Sequence, residues 1–546
     1  MRLLNSGISS LLTFFSMSKE IKVAKRVIRS FQLKSIKKSK KYILIEAFQT
    51  PSNRLGLSIF APTASKFYEA KLVAFYMMPI TPLKFLKEQI RFIFSVERSF
   101  GCSQFVFLGS KNSIEYEVKA QDLLDSVSNL RELEVLKYRE VVIGDLIYDV
   151  YLRKFRKPTV DLTDVGLVEV TSQFLQHFDQ LYKRFLNKEV AGVCVSHTVY
   201  LLGLPSRIAA FFEVPAFQVT GESIYRITSE NTHAYTAFKR YPEFFRSLPK
   251  EVQIEGRKLA KKRLEMRFAG YVGVDMHYST ASAFSSPEDG ERVLKDNSKP
   301  QILIAIHDFY DSPHSYGLNL YPDFYQWLLA LAEISRKTDY NWYIKTHPDI
   351  RGEGHSVIES FITENPQFCF VASSTSHHQL IREGISLALT IFGTIAMEYP
   401  YLGKPVVNAS LNNPHVRYDF SISPQTATEY ENLLMNLDQI KINGNQESIQ
   451  EYYLMHNIYM LKSWTIQNYD AYFKEVGGGP KAFSWQIFKY FASGKNCYKI
   501  SEIEAAINEF LTSGLMFLSR EHFPQLNIQQ LAIEPEGLGI FDSWDI

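Results

Sequence analysis

The stretch "NWYIKTHPDI", Asn341 to Ile350, decides how the chain is read. Trp342-Tyr343-Ile344 is a short apolar run of strand type. It breaks at once into Lys345-Thr346-His347-Pro348, which puts a cation and an imidazole where a strand leaves its sheet. Working outward, "QILIAIHDF" (Gln301–Phe309) is a strand and "YPDFYQWLLALAEISRKT" (Tyr321–Thr338) an amphipathic helix. Beyond the opening stretch come a helix near Ser356–Thr363, the strand "FCFVA" and a helix near His377–Glu383. The strand "SLALTIFGT", the helix "IAMEYPYLG" and the strand "KPVVNA" complete the series. The strands are continuous apolar runs, not alternating ones, and helices separate them. That pattern predicts a parallel sheet covered on both faces.

A second series of the same kind precedes it. "KYILIEAF" (Lys41–Phe48), "KLVAFYMM" (Lys71–Met78) and "QFVFLGS" (Gln104–Ser110) read as strands. "EVVIGDLIYDVYLR" (Glu140–Arg153) reads as a strand turning into a helix at Gly144-Asp145. After a helix near Thr171–Leu186, the segment Ala191–Val219 holds a strand, a helix and a strand, with Ser196-His197 at the end of the first. The polar, turn-rich "SSPEDGERVLKDNSKP" (Ser285–Pro300) is the linker. The expected fold class is therefore α/β, with two doubly wound, Rossmann-like domains facing a cleft. The expected divisions are a basic leader (1–40), an N-terminal domain (41–290), a C-terminal domain (291–425) and a helical C-terminal segment (426–546).

Composition sets the outer limits. The 546 residues exceed one core, and 46% hydrophobic with 22% charged residues is ordinary for a globular chain. A net charge of +2 gives no global field for nucleic acid, so none is expected as a partner. The four cysteines, Cys102, Cys194, Cys369 and Cys497, have no paired spacing, which fits a reducing cytoplasm and no zinc site. The histidines His307, His314, His347, His355, His377 and His378 show no metal-binding spacing, so neither metal nor cofactor is expected. No apolar run reaches the roughly 18 residues of a membrane span, and the start lacks a signal-peptide cleavage signature. Between residues 19 and 41, ten lysines and arginines interleave with Ile21, Val23, Ala24, Val27, Ile28 and Phe31 at near-helical spacing. Such a helix suits an anionic membrane surface, or equally a docked leader with a solvated basic face.

In an open parallel sheet, ligands bind outside the carboxyl ends of the strands. Three strand ends of the C-terminal series offer His307-Asp308, Lys345 with His347, and Gly393-Thr394. A cation, imidazoles, a hydroxyl and a helix start together suit a phosphate-bearing ligand. Glu398, one turn into the helix, can accept hydrogen bonds from a ribose. The N-terminal series offers candidates for a general base: Asp145 first, with Asp149 beside it, then His197, Glu46 and Glu222. Asp145 can equally cap the helix after Gly144.

The stretch "WYIKTHPD", followed by "TIFGTIAMEYPYLGKPVVN", resembles the Lys-x-His-Pro and Gly-Thr/Ser…Glu…Gly-Lys-Pro-Val pattern of bacterial capsule and lipopolysaccharide glycosyltransferases of GT-B fold, related in architecture to UDP-GlcNAc 2-epimerase. "IGDLIYDVYLR", "VSHTVYLLGLPSRIA" and "HDFYDSPHSYGLNLYPDFYQWL" are similar to segments of the same proteins. The resemblance spans about residues 40–460. It implies that Lys345 and His347 contact the nucleotide phosphate, that Thr394 hydrogen-bonds the same group, and that Glu398 binds the ribose. It further implies a CMP-, CDP- or UDP-linked sugar donor on the C-terminal domain and a glycan or lipid-linked glycan acceptor on the N-terminal one. The enzyme would be cytoplasmic, working peripherally at the inner face of the membrane. Phe392 departs from the pattern, which often has Ser or Asn there, and the acidic-acidic-Gly motif that supplies the base in some CMP-sugar transferases is missing. The rival readings are a UDP-GlcNAc 2-epimerase-like enzyme, a CDP-glycerol-type phosphotransferase, and a non-catalytic GT-B module that binds nucleotide sugar or polysaccharide.

Overall fold

A computed structural model describes residues 19–523 except 80, 273, 276–281, 286–290, 347–351 and 442–443. Two parallel sheets organise it. The first contains β1 (Tyr42–Glu46), β2 (Lys71–Pro79), β3 (Gln104–Ser110), β4 (Val190–Val195), β5 (Ala216–Val219) and β6 (Ile224–Ile227) in the order β3-β2-β1-β4-β5-β6. Only β6 runs antiparallel, paired with β5. The second contains β7 (Gln301–Ile306), β8 (Asn341–Thr346), β9 (Phe368–Val371), β10 (Leu387–Thr390) and β11 (Val406–Asn408), all parallel, in the order β9-β8-β7-β10-β11. Both sheets thus reverse direction of winding next to their first strand, between β1 and β4 and between β7 and β10. Loops form crevices at such switch points.

The apolar runs explain the sheets. Every residue of β1 is buried, and the odd and even residues of β7 and β8 go to different cores. Ile302, Ile304 and Ile344 pack under the helix Phe324–Ser335, while Leu303 and Tyr343 pack on the other face. "EVVIGDLIYDVYLR" contributes only a two-residue hairpin strand, Val141–Val142, outside the main sheets. Its helix, Gly144–Phe155, starts where the Leu133 carbonyl would stand 1.7 Å from a Cβ at position 144, so glycine is required there.

The tail returns to the first half. The helix Ala427–Met435 still packs on the second sheet through Tyr430 and Leu434. Trp464, Tyr472, Phe488 and Phe510, however, lie in one core with Ile43, Ile45 and Phe60 of the first half. Trp464 Nε1 donates to the Thr220 carbonyl (2.8 Å), and Leu518 N donates to the Ile224 carbonyl (2.9 Å), so the tail extends the first sheet at β6. The leader is docked as well. Residues 19–30 are helical, with Ala24, Val27 and Ile28 buried in the same core. That packing takes up the apolar face that the sequence offered to a membrane.

Candidate active site between two switch points

The carboxyl ends of β4 and β7 meet. Tyr200, after β4, donates its hydroxyl to Asp311 (2.9 Å) and accepts from Ser312 N (3.0 Å), both after β7. Tyr316 packs edge-on against Phe392, and a Cβ at Gly317 would touch the His233 ring. The crevices of the two halves therefore open toward each other.

On the first half, β1 and β4 end in three linked side chains. Ser196 donates its backbone N–H (2.6 Å) and its hydroxyl (3.0 Å) to the two Glu46 oxygens. The Ser196 Oγ also bonds His197 Nδ1 at 2.8 Å. When Glu46 is ionised, the Ser196 hydroxyl donates to it, so Nδ1 carries the proton of the His197 bond and Nε2 is the basic nitrogen. Glu46 is buried, and burial pushes its carboxyl up to about 7 against the pull of the two Ser196 hydrogen bonds. His197 reaches solvent at the chain's surface. Enclosure by the surrounding loops, then the Arg153 charge, lowers its imidazole, with Asp311 opposing. A neutral, basic imidazole backed by a carboxyl that titrates near neutrality is what proton transfer at pH 7 requires.

Asp145, the residue the sequence put first, does different work. It pairs with Arg207 through both carboxylate oxygens, deep in the first half, with His233 Nε2 at 3.8 Å. Burial alone would raise its carboxyl, but Arg207 outweighs that and holds it far below the usual carboxylate range. A carboxylate so stabilised has little basicity at neutral pH. Asp149, one turn on, bonds His314 Nδ1 at 2.6 Å, and Glu134 takes Nε2 at 3.0 Å. Burial opposes a charge on His314, but the two carboxylates, Asp149 first, push its pKa well above the ordinary value. Tyr148 bonds Asp323, which also caps the helix Phe324–Ser335. The "GDLIYD" helix is thus a strut joining the halves. Glu222 sits in the turn between β5 and β6, half-buried, where its charge acts on Tyr225, Tyr235 and Tyr469.

On the second half, His307 and Thr390 end the switch-point strands β7 and β10. Thr390 Oγ1 lies 3.4 Å from His307 Nε2 and accepts from Gly393 N at 3.1 Å. A Cβ at Gly393 would fall 2.8 Å from Thr390 Oγ1, so glycine lets the loop close over that hydroxyl. His307 tilts over Phe392 with centroids 4.5 Å apart. Thr394 is exposed, and its side chain makes no capping bond to the short helix Ile395–Tyr401. Lys345, at the end of β8, is buried, and its Nζ donates to the carbonyls of Ala372 (3.2 Å) and Ser373 (2.6 Å). Burial lowers its ammonium to about 8, and no carboxylate among the described residues pairs with it. A desolvated cation held only by carbonyl dipoles favours an incoming anion. His347 lies outside the described residues.

Glu398 is not available to a ribose. It is buried, and its Oε1 accepts from Arg267 Nε (2.8 Å) and Nη2. Arg267 comes from the helix Lys250–Phe268 of the first half, so this pair ties the halves together. Nothing local in the sequence marks Arg267, Arg207 or Thr390, whose partners lie 131, 62 and 83 positions away along the chain. Ser196 did have a signal: a hydroxyl directly before His197 at a strand end.

No protein-family model matches the chain, and no curated protein matches it in sequence. Solved structures do align with it. The Thermosulfurimonas dismutans KpsC, a beta Kdo 2,4 transferase, aligns over 56% of this chain and 88% of its own, with 11% identity and a TM-score of 0.31. UDP-GlcNAc 2-epimerase from Neisseria meningitidis, bound to UDP-GlcNAc, aligns over 76% and 94%, with 11% identity and a TM-score of 0.23. Anabaena Alr3699/HepE, in complex with UDP and glucose, aligns over 87% and 99%, with 10% identity and a TM-score of 0.22.

Proposed function

We propose that this protein is an enzyme acting on a nucleotide sugar, and specifically a glycosyltransferase that moves the sugar to a capsule or lipopolysaccharide acceptor. The observation that carries the reading is the pairing of the two switch points. A proton-accepting chain, His197–Ser196–Glu46, ends one half, and an anion-seeking set, Lys345 with His307, Thr390 and the Thr394 hydroxyl, ends the other. The resemblance of "KTHP" and "FGTIAMEYPYLGKPVV" to surface-carbohydrate transferases supports the same assignment of donor and acceptor sides.

In this mechanism the acceptor hydroxyl gives its proton to His197 Nε2 as its oxygen bonds the anomeric carbon. The bond from that carbon to the phosphate oxygen breaks, and the nucleotide leaves with the electron pair. The proton on Nε2 is compensated by transfer of the Nδ1 proton toward Ser196, whose own hydroxyl proton moves to Glu46. Lys345, joined by His347 and Thr394, stabilises the charge that develops on the leaving phosphate. No metal enters the scheme.

The test is a thermal-shift panel of CMP, CDP, UDP, GDP and ADP on the wild type and on Lys345→Ala. A ligand at about 100 times its Kd adds roughly 2.7 kcal/mol of stability. One nucleotide should stabilise the wild type and, at the same concentration, stabilise the variant only about half as much, roughly 1.4 kcal/mol. The corresponding nucleotide sugar should then release that nucleotide faster when a glycan acceptor is added. Turnover of the sugar nucleotide without any acceptor would instead favour the epimerase reading, and no shift with any nucleotide would defeat the proposal.

A further inference from the structure

The helix Pro82–Ile93, "PLKFLKEQIRFI", follows β2 on the first half and is amphipathic in the wrong direction for a surface helix. Leu83 is 79% exposed, Leu86 56%, Ile90 45%, Ile93 55% and the adjoining Phe94 55%. At helical spacing these five positions share an arc of about 100°. The opposite side is the one that packs: Phe92 stacks on Phe105 at 4.9 Å, Phe85 meets Phe107 edge-on at 5.6 Å, and Glu88 is buried against Arg91. The stripe therefore faces solvent while the helix is already anchored by its other face. A contiguous apolar ridge of this kind on a protein surface marks a contact site.

Charge says what it meets. Lys84 and Lys87 flank the stripe and are exposed. The other nearby cations lie toward the packed side, where the Arg98 guanidinium stands over the Phe92 ring at 5.9 Å and acts with Arg29 on Lys25 of the docked leader. Large apolar side chains beside uncompensated cations match the boundary of an anionic bilayer, where the chains enter the acyl region and the cations meet headgroup phosphates. No helix among the described residues is long and apolar enough to cross a membrane, so the contact would be peripheral.

We propose that the helix Pro82–Ile93 with Phe94 lies in the surface of an anionic membrane, held by Leu83, Leu86, Ile90 and Ile93 and flanked by Lys84 and Lys87. Arg91 of this helix stacks over Phe48, two residues beyond Glu46, at 4.1 Å. The inference does not rest on the glycosyltransferase reading, since it concerns binding without nucleotide.

The experiment is cosedimentation of the full chain with phosphatidylcholine vesicles, with and without phosphatidylglycerol. The wild type should bind the mixed vesicles and not pure phosphatidylcholine. Leu86→Glu with Ile90→Glu should lower binding more than tenfold, and Lys84→Ala with Lys87→Ala should lower it by about fivefold per lysine. Ile254→Glu, at another exposed apolar position, should change nothing. Unchanged melting temperatures will show that the exposed substitutions leave the fold intact. The proposal is overturned if the wild type binds neither vesicle, if the Leu86/Ile90 variant binds equally, or if light scattering shows a dimer that the same variant abolishes.

Discussion

The two halves repeat one plan and fill it with opposite chemistry. Each sheet reverses its winding beside its first strand, and each puts a hydroxyl against a neighbouring side chain at that point: Ser196 against Glu46, and Thr390 against His307. In the first half the hydroxyl bridges a buried carboxyl and an imidazole, so the crevice can take up a proton. In the second, the hydroxyl meets an imidazole, and the charge of that half is the buried Lys345, one strand away at the end of β8. The same backbone position is thus backed by a carboxyl in one half and by an imidazole in the other.

The sharpest way to separate the halves is to disable one and watch the other. His197→Ala should lower sugar transfer by about 10²–10⁴-fold and leave the nucleotide-induced thermal shift intact. Equal losses in both would break the division of labour. The next largest effect concerns stability. Asp145→Ala leaves Arg207 buried without its carboxylate, at a cost of about 3–5 kcal/mol in chemical denaturation. Retained stability together with lost transfer would return Asp145 to the role of base.

Lys345→Ala should weaken nucleotide binding by about tenfold, the value of one charge-assisted contact, with His197-dependent steps unaffected once the site is saturated. The pH dependence follows from the same two groups. Transfer should rise as Glu46 ionises through about pH 7, and nucleotide binding should weaken as Lys345 loses its proton through about pH 8. Because the folded pKa of Glu46 is raised, its contribution to stability is present below its ordinary value near 4.5 and is lost as pH climbs through about 7. Glu46→Gln should remove both the acid limb of the rate profile and that slope in stability. The smallest effect is on ribose. Glu398→Gln should lower the melting temperature through Arg267, yet leave the preference for ribo- over deoxyribonucleotides unchanged.

The amphipathic helices teach a similar lesson on a smaller scale. The leader and Pro82–Ile93 both mix cations with apolar residues at helical spacing, and only the first stood out in the sequence because its charge run is longer. Val27 and Ile28 of the leader are buried, whereas Leu86 and Ile90 are not. Periodicity reports that an apolar face exists. It does not report what covers that face.

The sequence by itself determined the repeating strand-and-helix order, the strand ends at Glu46, Ser196, Ile306 and Lys345, and the chemistry gathered there, whereas the end of β10 at Thr390 came from the structure. These follow from local periods and from side chains a few positions apart. Only the tertiary structure decided which charged groups remain free to act. Asp145, Asp149 and Glu398 look like Lys345 and Glu46 along the chain, but Arg207, His314 and Arg267 pair with the first three, and no comparable partner among the described residues reaches the other two. In a desolvated interior the strength of an ion is set by its neighbours, and those neighbours arrive from distant parts of the chain.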